Sequence, residues 1–160
     1  MKVLQRSVLL VMGVLFLTSC TRTAEGPKGS EEVLSAYISR TFNVEQVTDR
    51  NLLLELTTDR LREALAALSD EAFKKRYLGV ERRFLKLRIL NQQTISEEEH
   101  QITFELAFME KQKGYEAKIT QKQLAILKQK SGTWLISEVR GMKELVEYDE
   151  GLNIPGVVSK

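Results

Sequence analysis

The sequence predicts an α+β fold in which N-terminal helices pack on a curved four-stranded antiparallel sheet. Apolar residues recur at helical spacing in residues 30–79 and alternate with a period of two in residues 83–140. Polar, glycine-containing segments separate the alternating runs. Helices in one block followed by strands in another are typical of α+β domains. Long strands must twist and curl, so the sheet is expected to offer the helices a concave face.

Three or four helical segments are expected in the first half. Ser30, followed by two glutamates, indicates the start of the first helix, because a hydroxyl can cap it and acids favour its positive end. Asp49, Asp59 and Ser69 are expected to cap or open the next segments, and Gly79 to end the last one. The residues predicted to face the core are Val33, Leu34, Tyr37, Ile38, Phe42, Leu52, Leu53, Leu56, Leu61, Leu65 and Leu68.

Four strands are expected in the second half. They are Arg83–Ile95, Gln101–Glu110, Tyr115–Gln129 and Thr133–Arg140, with turns at Ser96–His100, Lys111–Gly114 and Lys130–Gly132. The alternation changes parity between Ile119 and Leu124, which predicts a β-bulge near residues 120–123. Residues 142–149 are expected to form either a short helix or an extension of the last strand.

Charge and residue counts exclude several classes of function. The sequence carries 24 basic and 22 acidic residues, and two of the basic ones, Lys2 and Arg6, lie in a predicted signal. The remaining chain is formally neutral, which disfavours a nucleic-acid partner. With one histidine and one cysteine, neither a zinc site nor a nucleophilic triad is expected. The sequence also lacks a glycine-rich phosphate loop and the spacing of an EF-hand, so no cofactor, metal or catalytic residue is predicted.

The first 19 residues have the composition of a secretion signal. Met1–Arg6 is positively charged, Ser7–Leu17 is apolar, and small residues follow. As a helix, the apolar run would rise about 16 Å, roughly half of the ~30 Å hydrocarbon thickness of a bilayer. It is therefore too short for a stable transmembrane span.

The segment Leu17-Thr18-Ser19-Cys20 resembles the lipobox of bacterial lipoproteins. This resemblance implies cleavage between Ser19 and Cys20, a diacylglyceryl thioether on the Cys20 sulfur, and an acyl chain on the new amine. Two acyl chains suffice to hold a protein on its membrane. Thr21, where inner-membrane lipoproteins of enteric type carry Asp, favours the periplasmic face of the outer membrane in a Gram-negative source. The alternative is an ordinary signal with a cysteine near its cleavage site.

Two prolines bracket the predicted domain. Residues 20–29 comprise the lipidated cysteine and a flexible tether containing Pro27. A single domain spans residues 30–149, and residues 150–160, which contain Pro155, form a C-terminal tail.

The order helix–helix–helix–hairpin–hairpin and the ending Lys130-Ser131-Gly132-Thr133-Trp134-Leu135-Ile136-Ser137 resemble the NTF2-like (cystatin-like) superfamily. The resemblance covers residues 30–142 and implies a cone formed by helices on a curved sheet. It also implies that an enzyme of this family would place Asp, His or Tyr inside the cone, and that a homodimer would form through the convex sheet. A different helix-plus-sheet lipoprotein domain is the alternative.

The residues that could perform acid–base chemistry are better explained otherwise. His100 falls in a predicted hairpin turn, and Glu105 and Glu116 fall on the polar face of their strands. Asp49 and Asp59 are expected to cap helices. The chain is therefore predicted not to be an enzyme.

An apolar stripe has two interpretations. Ile102, Phe104, Leu106 and Phe108, with Trp134 and Ile136, form either a plain core or the wall of an apolar pocket. In the second case Phe104, Leu106, Phe108 and Trp134 would line a site for a small apolar ligand.

Two groups of charges also have two interpretations. The basic group is Lys74, Lys75, Arg76, Arg82, Arg83, Lys86 and Arg88, and the acidic group is Glu144, Glu147, Asp149 and Glu150. The basic group could contact anionic lipid or a cell-wall polymer beside the anchor. Basic residues are also favourable at a helix C-terminus, which makes a solvated face the simpler explanation.

Together these observations predict a membrane-anchored lipoprotein whose domain is a non-catalytic binding or envelope-structural module. Its partner would be an envelope protein or polymer. A carrier of a small apolar ligand is the first alternative, and a divergent NTF2-like enzyme is the second.

Overall fold

A computed structural model describes residues 29–112 and 115–148 of the chain. Its elements are α1 (Ser30–Phe42), a 3-10 turn (Val47–Asp49), α2 (Arg50–Leu54), α3 (Asp59–Ala66), α4 (Asp70–Tyr77), β1 (Glu81–Ser96), β2 (Glu99–Gln112), β3 (Tyr115–Lys130) and β4 (Thr133–Tyr148). The predicted α+β class, with the helices preceding a four-stranded antiparallel sheet, is confirmed. The predicted signal, lipobox, tether up to residue 28 and C-terminal tail lie outside the described residues, as do Lys113 and Gly114 of the second hairpin loop.

The sheet is a meander in the order β1-β2-β3-β4, so β1 and β4 are its edges. β2 and β3 pair without interruption, whereas the register shifts three times between β1 and β2 and twice between β3 and β4. These irregularities bend and twist the outer strands. The helices pack on the face of the sheet that carries Ile102, Phe104, Leu106 and Phe108.

The predicted bulge near residues 120–123 of β3 is wrong. β3 keeps its register with β2 throughout, and the extra residue lies on β4, where Lys122 pairs with Lys143 but Gln123 pairs with Gly141. Met142 is therefore the bulged residue. The predicted extension of the last strand is found as far as Tyr148.

The core contains most of the predicted apolar residues, with one error in α2. Leu53 is fully buried, but its neighbour Leu52 is 44% exposed, because this short helix presents a single buried side chain to the core. Phe73 of α4, which was not among the predicted core residues, is fully buried.

The predicted caps have mixed outcomes. Ser69 caps α4 as expected, since its Oγ accepts a hydrogen bond from the Ala72 amide at 3.2 Å. Ser30 does not cap α1: Gly29 occupies the cap position, and the Ser30 hydroxyl bonds to His100 instead. The prediction for Ser30 is wrong because α1 starts one residue earlier than the hydroxyl-cap pattern implies.

Asp49 occupies the predicted cap position of α2, but neither its carboxylate nor that of Asp59 forms a cap hydrogen bond to the helix that follows. The Asp49 carboxylate accepts from the Glu45 and Gln46 amides at 2.9 and 3.0 Å, so it closes the 3-10 turn that precedes α2. These hydrogen bonds hold the pKa of Asp49 below its ordinary value. Asp59 opens α3 as predicted, but it follows Thr58 at the cap position, and its carboxylate bonds to lysines of β3.

Two glycines have definite structural roles. Gly79 follows the end of α4 at Tyr77, and a Cβ there would lie 2.7 Å from the Lys75 carbonyl oxygen. Ser131 and Gly132 both have positive φ, 51° and 79°, and form the tight turn between β3 and β4.

The connection between α2 and α3 pairs with the outer edge of β4. The Thr58 amide donates to the Ile136 carbonyl, and the Ile136 amide donates to the Leu56 carbonyl, both at 2.9 Å. This short parallel bridge covers part of one sheet edge and fixes the helices to the sheet. Among the described helices, none combines the length and the apolar character needed to cross a bilayer.

Candidate functional site

A cleft of about 490 Å³ lies between the helices and the inner face of the sheet. Helices α1, α3 and α4 form one wall, and residues from β1, β2, β3 and β4 form the other. The cleft is open to solvent. Its lining residues include Tyr37, Ile38, Thr41, Phe42, Leu61, Arg76, Tyr77, Arg82, Leu106, Phe108, Glu110, Ile119, Gln121, Gln123, Val139 and Glu144.

The floor of the cleft is apolar and includes part of the predicted stripe. Leu106 and Phe108 of β2 lie there beside Ile119 of β3. Phe104 is fully buried in the core, and Trp134 packs against the His100 ring, so neither lines the cleft. The stripe is thus core at one end of the sheet and cleft floor at the other.

Two glutamines bring hydrogen-bonding groups onto the inner face of β3. Gln123 Nε2 donates to Gln121 Oε1 at 2.5 Å, and Gln121 Nε2 donates to Glu144 Oε2 at 2.6 Å. Both glutamines lie between Ile119 and Ala125 at the inward-facing positions of β3, so the period of two is unbroken. The sequence interpretation missed them because it took Leu124 as the next inward residue. An unbroken period of two through polar residues was the signal that could have found them.

Two phenols stand on the opposite wall. Tyr37 of α1 is buried, and burial together with the neighbouring Tyr77 phenol raises its pKa well above the ordinary range. A tyrosine phenol is protonated near neutral pH, so the Tyr37 hydroxyl can donate a hydrogen bond on this wall. The Arg76 guanidinium lies 5.8 Å from the centroid of the Tyr77 ring.

An ion pair lies at the β1–β2 side of the cleft. Arg82 Nε is 3.0 Å from Glu110 Oε2, and the Arg82 guanidinium lies 5.8 Å from the centroid of the Phe108 ring. The two residues lie directly opposite each other on the neighbouring strands β1 and β2. The cleft thus offers two phenols, two guanidinium groups, amides and carboxylates around an apolar floor.

The carboxylates that the sequence singled out lie away from the cleft. Glu105 is on the outer face of β2, paired with Arg88 at 3.1 Å, and Glu116 is on the outer face of β3. Asp49 and Asp59 stabilise the turns described above. In residues 29–112 and 115–148, no three or more His, Cys, Asp or Glu side chains are grouped so that they could hold a metal ion.

His100 is not the solvated turn residue that its glutamate-rich neighbourhood predicted. It belongs to β2, and its ring stacks on Trp134 with the centroids 4.1 Å apart and the planes at 24°. Its Nδ1 lies 2.8 Å from Ser30 Oγ and 3.3 Å from Gln92 Nε2. The prediction failed because the hairpin turns at Glu97 and Glu98, two residues before His100. These contacts link the start of α1 to β1, β2 and β4.

The predicted charge groups are divided by the fold. Lys74, Lys75 and Arg76 occupy the last turn of α4, while Arg82, Arg83, Lys86 and Arg88 lie on β1. In the acidic group, Glu147 pairs with Lys118 at 2.7 Å, and Glu144 accepts from Gln121. Asp149 and Glu150 lie outside the described residues.

No family model matches the sequence, and no curated protein matches it. Among solved structures, the fold is similar to the crystal structure of the intermembrane space region of the chloroplast protein ARC6. The two share 16% sequence identity with a TM-score of 0.47, over 74% of this chain and 94% of that chain.

Proposed function

We propose that this protein is a lipid-anchored, extracytoplasmic binding module that holds a small ligand in the cleft. The observation that carries the proposal is the combination of an apolar floor with an inward-facing row formed by Gln121, Gln123 and Glu144. These groups bond to one another, but burying their remaining donors and acceptors without partners would cost free energy, so they favour a site that stays wet or accepts a polar partner. The ligand expected is therefore amphipathic, with hydrogen-bonding groups along one side.

The anchor is part of the same proposal. A lipobox ending at Cys20 supports attachment through acyl chains, and a tether of about ten residues places the domain close to the bilayer. Thr21 supports the outer membrane, periplasmic face, in a Gram-negative source. The element order supports membership of the NTF2-like superfamily, whose cone would correspond to the cleft.

Ligand binding is tested by native mass spectrometry of residues 21–160, secreted without lipid and purified gently. The expected result is extra mass that disappears on denaturation. Leu106→Trp, which would fill the cleft floor, should abolish that mass. Leu127→Trp is the matched control: Leu127 is fully buried but does not line the cleft, so this variant tests overpacking alone.

The results distinguish the alternatives. A polar, sugar-like or peptide-like ligand supports the amphipathic site, whereas a fatty or sterol-like molecule would support the carrier of an apolar ligand. A binding cleft would be contradicted if the gently purified protein carried no extra mass. It would also be contradicted if Leu106→Trp and Leu127→Trp reduced that mass to the same extent. The function would then be sought on the surface.

The anchor is tested separately. Cys20→Ser should abolish labelling by radioactive palmitate and release the protein from the membrane fraction or leave it unprocessed. Ser19→Ala is the matched control, because a small residue remains beside the cysteine and lipidation should continue. Fatty-acid labelling of the Cys20→Ser protein would refute the lipoprotein assignment.

A further inference from the structure

A second concave surface adjoins the cleft, between α1 and the edge strand β1. This α1–β1 groove has a volume of about 820 Å³. Its helix side is formed by Ser35, Ile38, Ser39 and Phe42, and its strand side by residues 82–87. The groove runs beside the first half of β1, at the border of the sheet.

Among the described residues, the β1 edge of the sheet has no backbone partner, whereas the β4 edge is partly covered. At Ile136, β4 exchanges backbone hydrogen bonds with the α2–α3 connection. Within residues 29–112 and 115–148, no backbone group outside the sheet bonds to β1. An edge strand with unpaired N–H and C=O groups is a template for another strand, and proteins use such edges to bind extended peptides.

The floor of the groove is apolar and partly exposed. Phe84 is 44% exposed, although its ring makes an edge contact with Phe42 at 5.6 Å between centroids. Leu85, the residue bulged out of register between Phe84 and Lys86, is 37% exposed. On the facing helix the side chains of Ser35 and Ser39 are small and exposed, which leaves room for the side chains of an occupant.

The charge of the groove has one sign. Residues 82–87 contribute Arg82, Arg83 and Lys86, and no carboxylate lines the groove. Arg82 is engaged with Glu110. Arg83 and Lys86 form no ion pair within the described residues, so their charges are available to a partner. A second copy of β1 would bring the same cations opposite, which is destabilising.

We propose that the α1–β1 groove binds an extended acidic segment of a partner protein. The segment adds to the sheet beside β1, places apolar side chains over Phe84 and Leu85, and directs carboxylates towards Arg83 and Lys86. The bulges at Leu85 and Leu90 break the edge into short runs, which limits strand addition to a few residues and disfavours open-ended stacking of copies. This surface adjoins the ligand cleft of the proposed function and shares Ile38, Phe42 and Arg82 with it, but residues 83–87 on its strand side lie outside the cleft.

The first experiment measures fluorescence anisotropy of labelled decapeptides with the full chain in detergent. In one peptide Glu alternates with Phe and Val, and in the other Lys replaces every Glu. The acidic peptide should bind at least about tenfold more tightly, and raised salt should weaken it. The double change Arg83→Glu with Lys86→Glu should reduce its affinity by at least about tenfold. Lys122→Glu with Lys143→Glu is the matched control, because these lysines face each other across β3 and β4, away from the groove.

Backbone pairing is tested by N-methylation of alternate amides of the acidic peptide. Strand addition uses the N–H groups on one side of the added strand only, so methylating one alternate set should abolish binding and methylating the other should not. Leu106→Trp should leave peptide binding unchanged, which separates this proposal from ligand binding in the cleft.

Five outcomes would overturn the inference. They are equal binding of the acidic and basic peptides, equal binding of both N-methylated peptides, and no effect of the Arg83→Glu, Lys86→Glu change with its fold intact by circular dichroism. The fourth is a concentration-dependent dimer that this double change abolishes, which would identify a second copy as the occupant. The fifth is absence of peptide binding together with binding to vesicles of anionic lipid that the double change removes, which would identify the membrane as the occupant.

Discussion

Phe73 is the side chain on which the position of α4 depends, and its removal is expected to destabilise the domain strongly. It is fully buried and is the only buried residue of α4. Its ring lies 4.6 Å from the Tyr77 ring, and the Arg50 guanidinium lies 4.8 Å from its centroid. Phe73→Ala would delete the ring and leave a cavity under the helix.

The expected loss is about 3–5 kcal/mol in the free energy of unfolding, the usual cost of Phe→Ala at a buried site. Small domains have about 5–15 kcal/mol in total, so the variant should still fold at low temperature but with a much reduced margin. Phe84→Ala is the matched control. Because Phe84 is 44% exposed, the same deletion there should cost only about 1 kcal/mol.

Urea denaturation followed by far-UV circular dichroism measures both variants under identical conditions. The midpoint should fall far more for Phe73→Ala than for Phe84→Ala, with unchanged slopes. Since α4 also carries Arg76 and Tyr77 onto the wall of the cleft, its amides should exchange hydrogen faster in the Phe73 variant. Equal losses for the two variants would refute the conclusion that Phe73 holds this wall in place.

Three further predictions concern Asp59 at the start of α3, the contacts of His100, and the turn between β3 and β4. Hydrogen bonds from Lys130, and to a smaller extent from Lys128, hold the pKa of Asp59 below its ordinary value of 3.8. These ion pairs therefore contribute to the free energy of unfolding above pH 3.8, and the contribution is lost as the pH falls through the lowered pKa. Asp59→Asn, which tolerates the φ of 45°, should therefore cost up to about 1 kcal/mol at neutral pH and nothing in strong acid, as measured by urea melts across that range. His100→Ala should lower the free energy of unfolding by about 1–2 kcal/mol, because it removes the stack on Trp134 and the hydrogen bond to Ser30. It should also change the fluorescence emission of Trp134, the single tryptophan of the chain. Unchanged stability and fluorescence would contradict the stack. Gly132→Ala should cost about 1–2 kcal/mol from its φ of 79° alone, since no atom lies within 4 Å of the added Cβ, and Gly132→Asn should cost less in the same thermal melts.

The strands were predictable because each side chain's direction follows from its parity. Ile102 and Phe108 face the core as their alternation indicates, and every predicted strand is present. The bulge was misplaced because a change of parity in one strand cannot be distinguished from polar residues continuing on the inner face. Only the pairing of Gln123 with Gly141 shows that the extra residue belongs to β4.

Contacts between distant segments were the least predictable features. Ser30 and His100 are separated by 70 positions, and their hydrogen bond depends on where α1 crosses the sheet. A hydroxyl before two glutamates favours a cap locally, yet the tertiary partner determines its role. The same holds for Asp59, whose carboxylate is used by lysines from β3 rather than by its own helix.

The residues that misled the parity interpretation also explain why the cleft lies where it does. From Ala125 to Leu127 the inner face of β3 is fully buried, and Leu127 faces Ile136 of β4. In the other direction the same face carries Gln121 and Gln123, opposite Gly141 and Glu144. These amides and this carboxylate would lose hydration if a helix closed over them, and the glycine supplies no side chain to fill the space. The change from apolar to polar residues along one face of β3 therefore determines where the core ends and the cleft begins, which is why filling it at Leu106 should affect binding more than overpacking at Leu127.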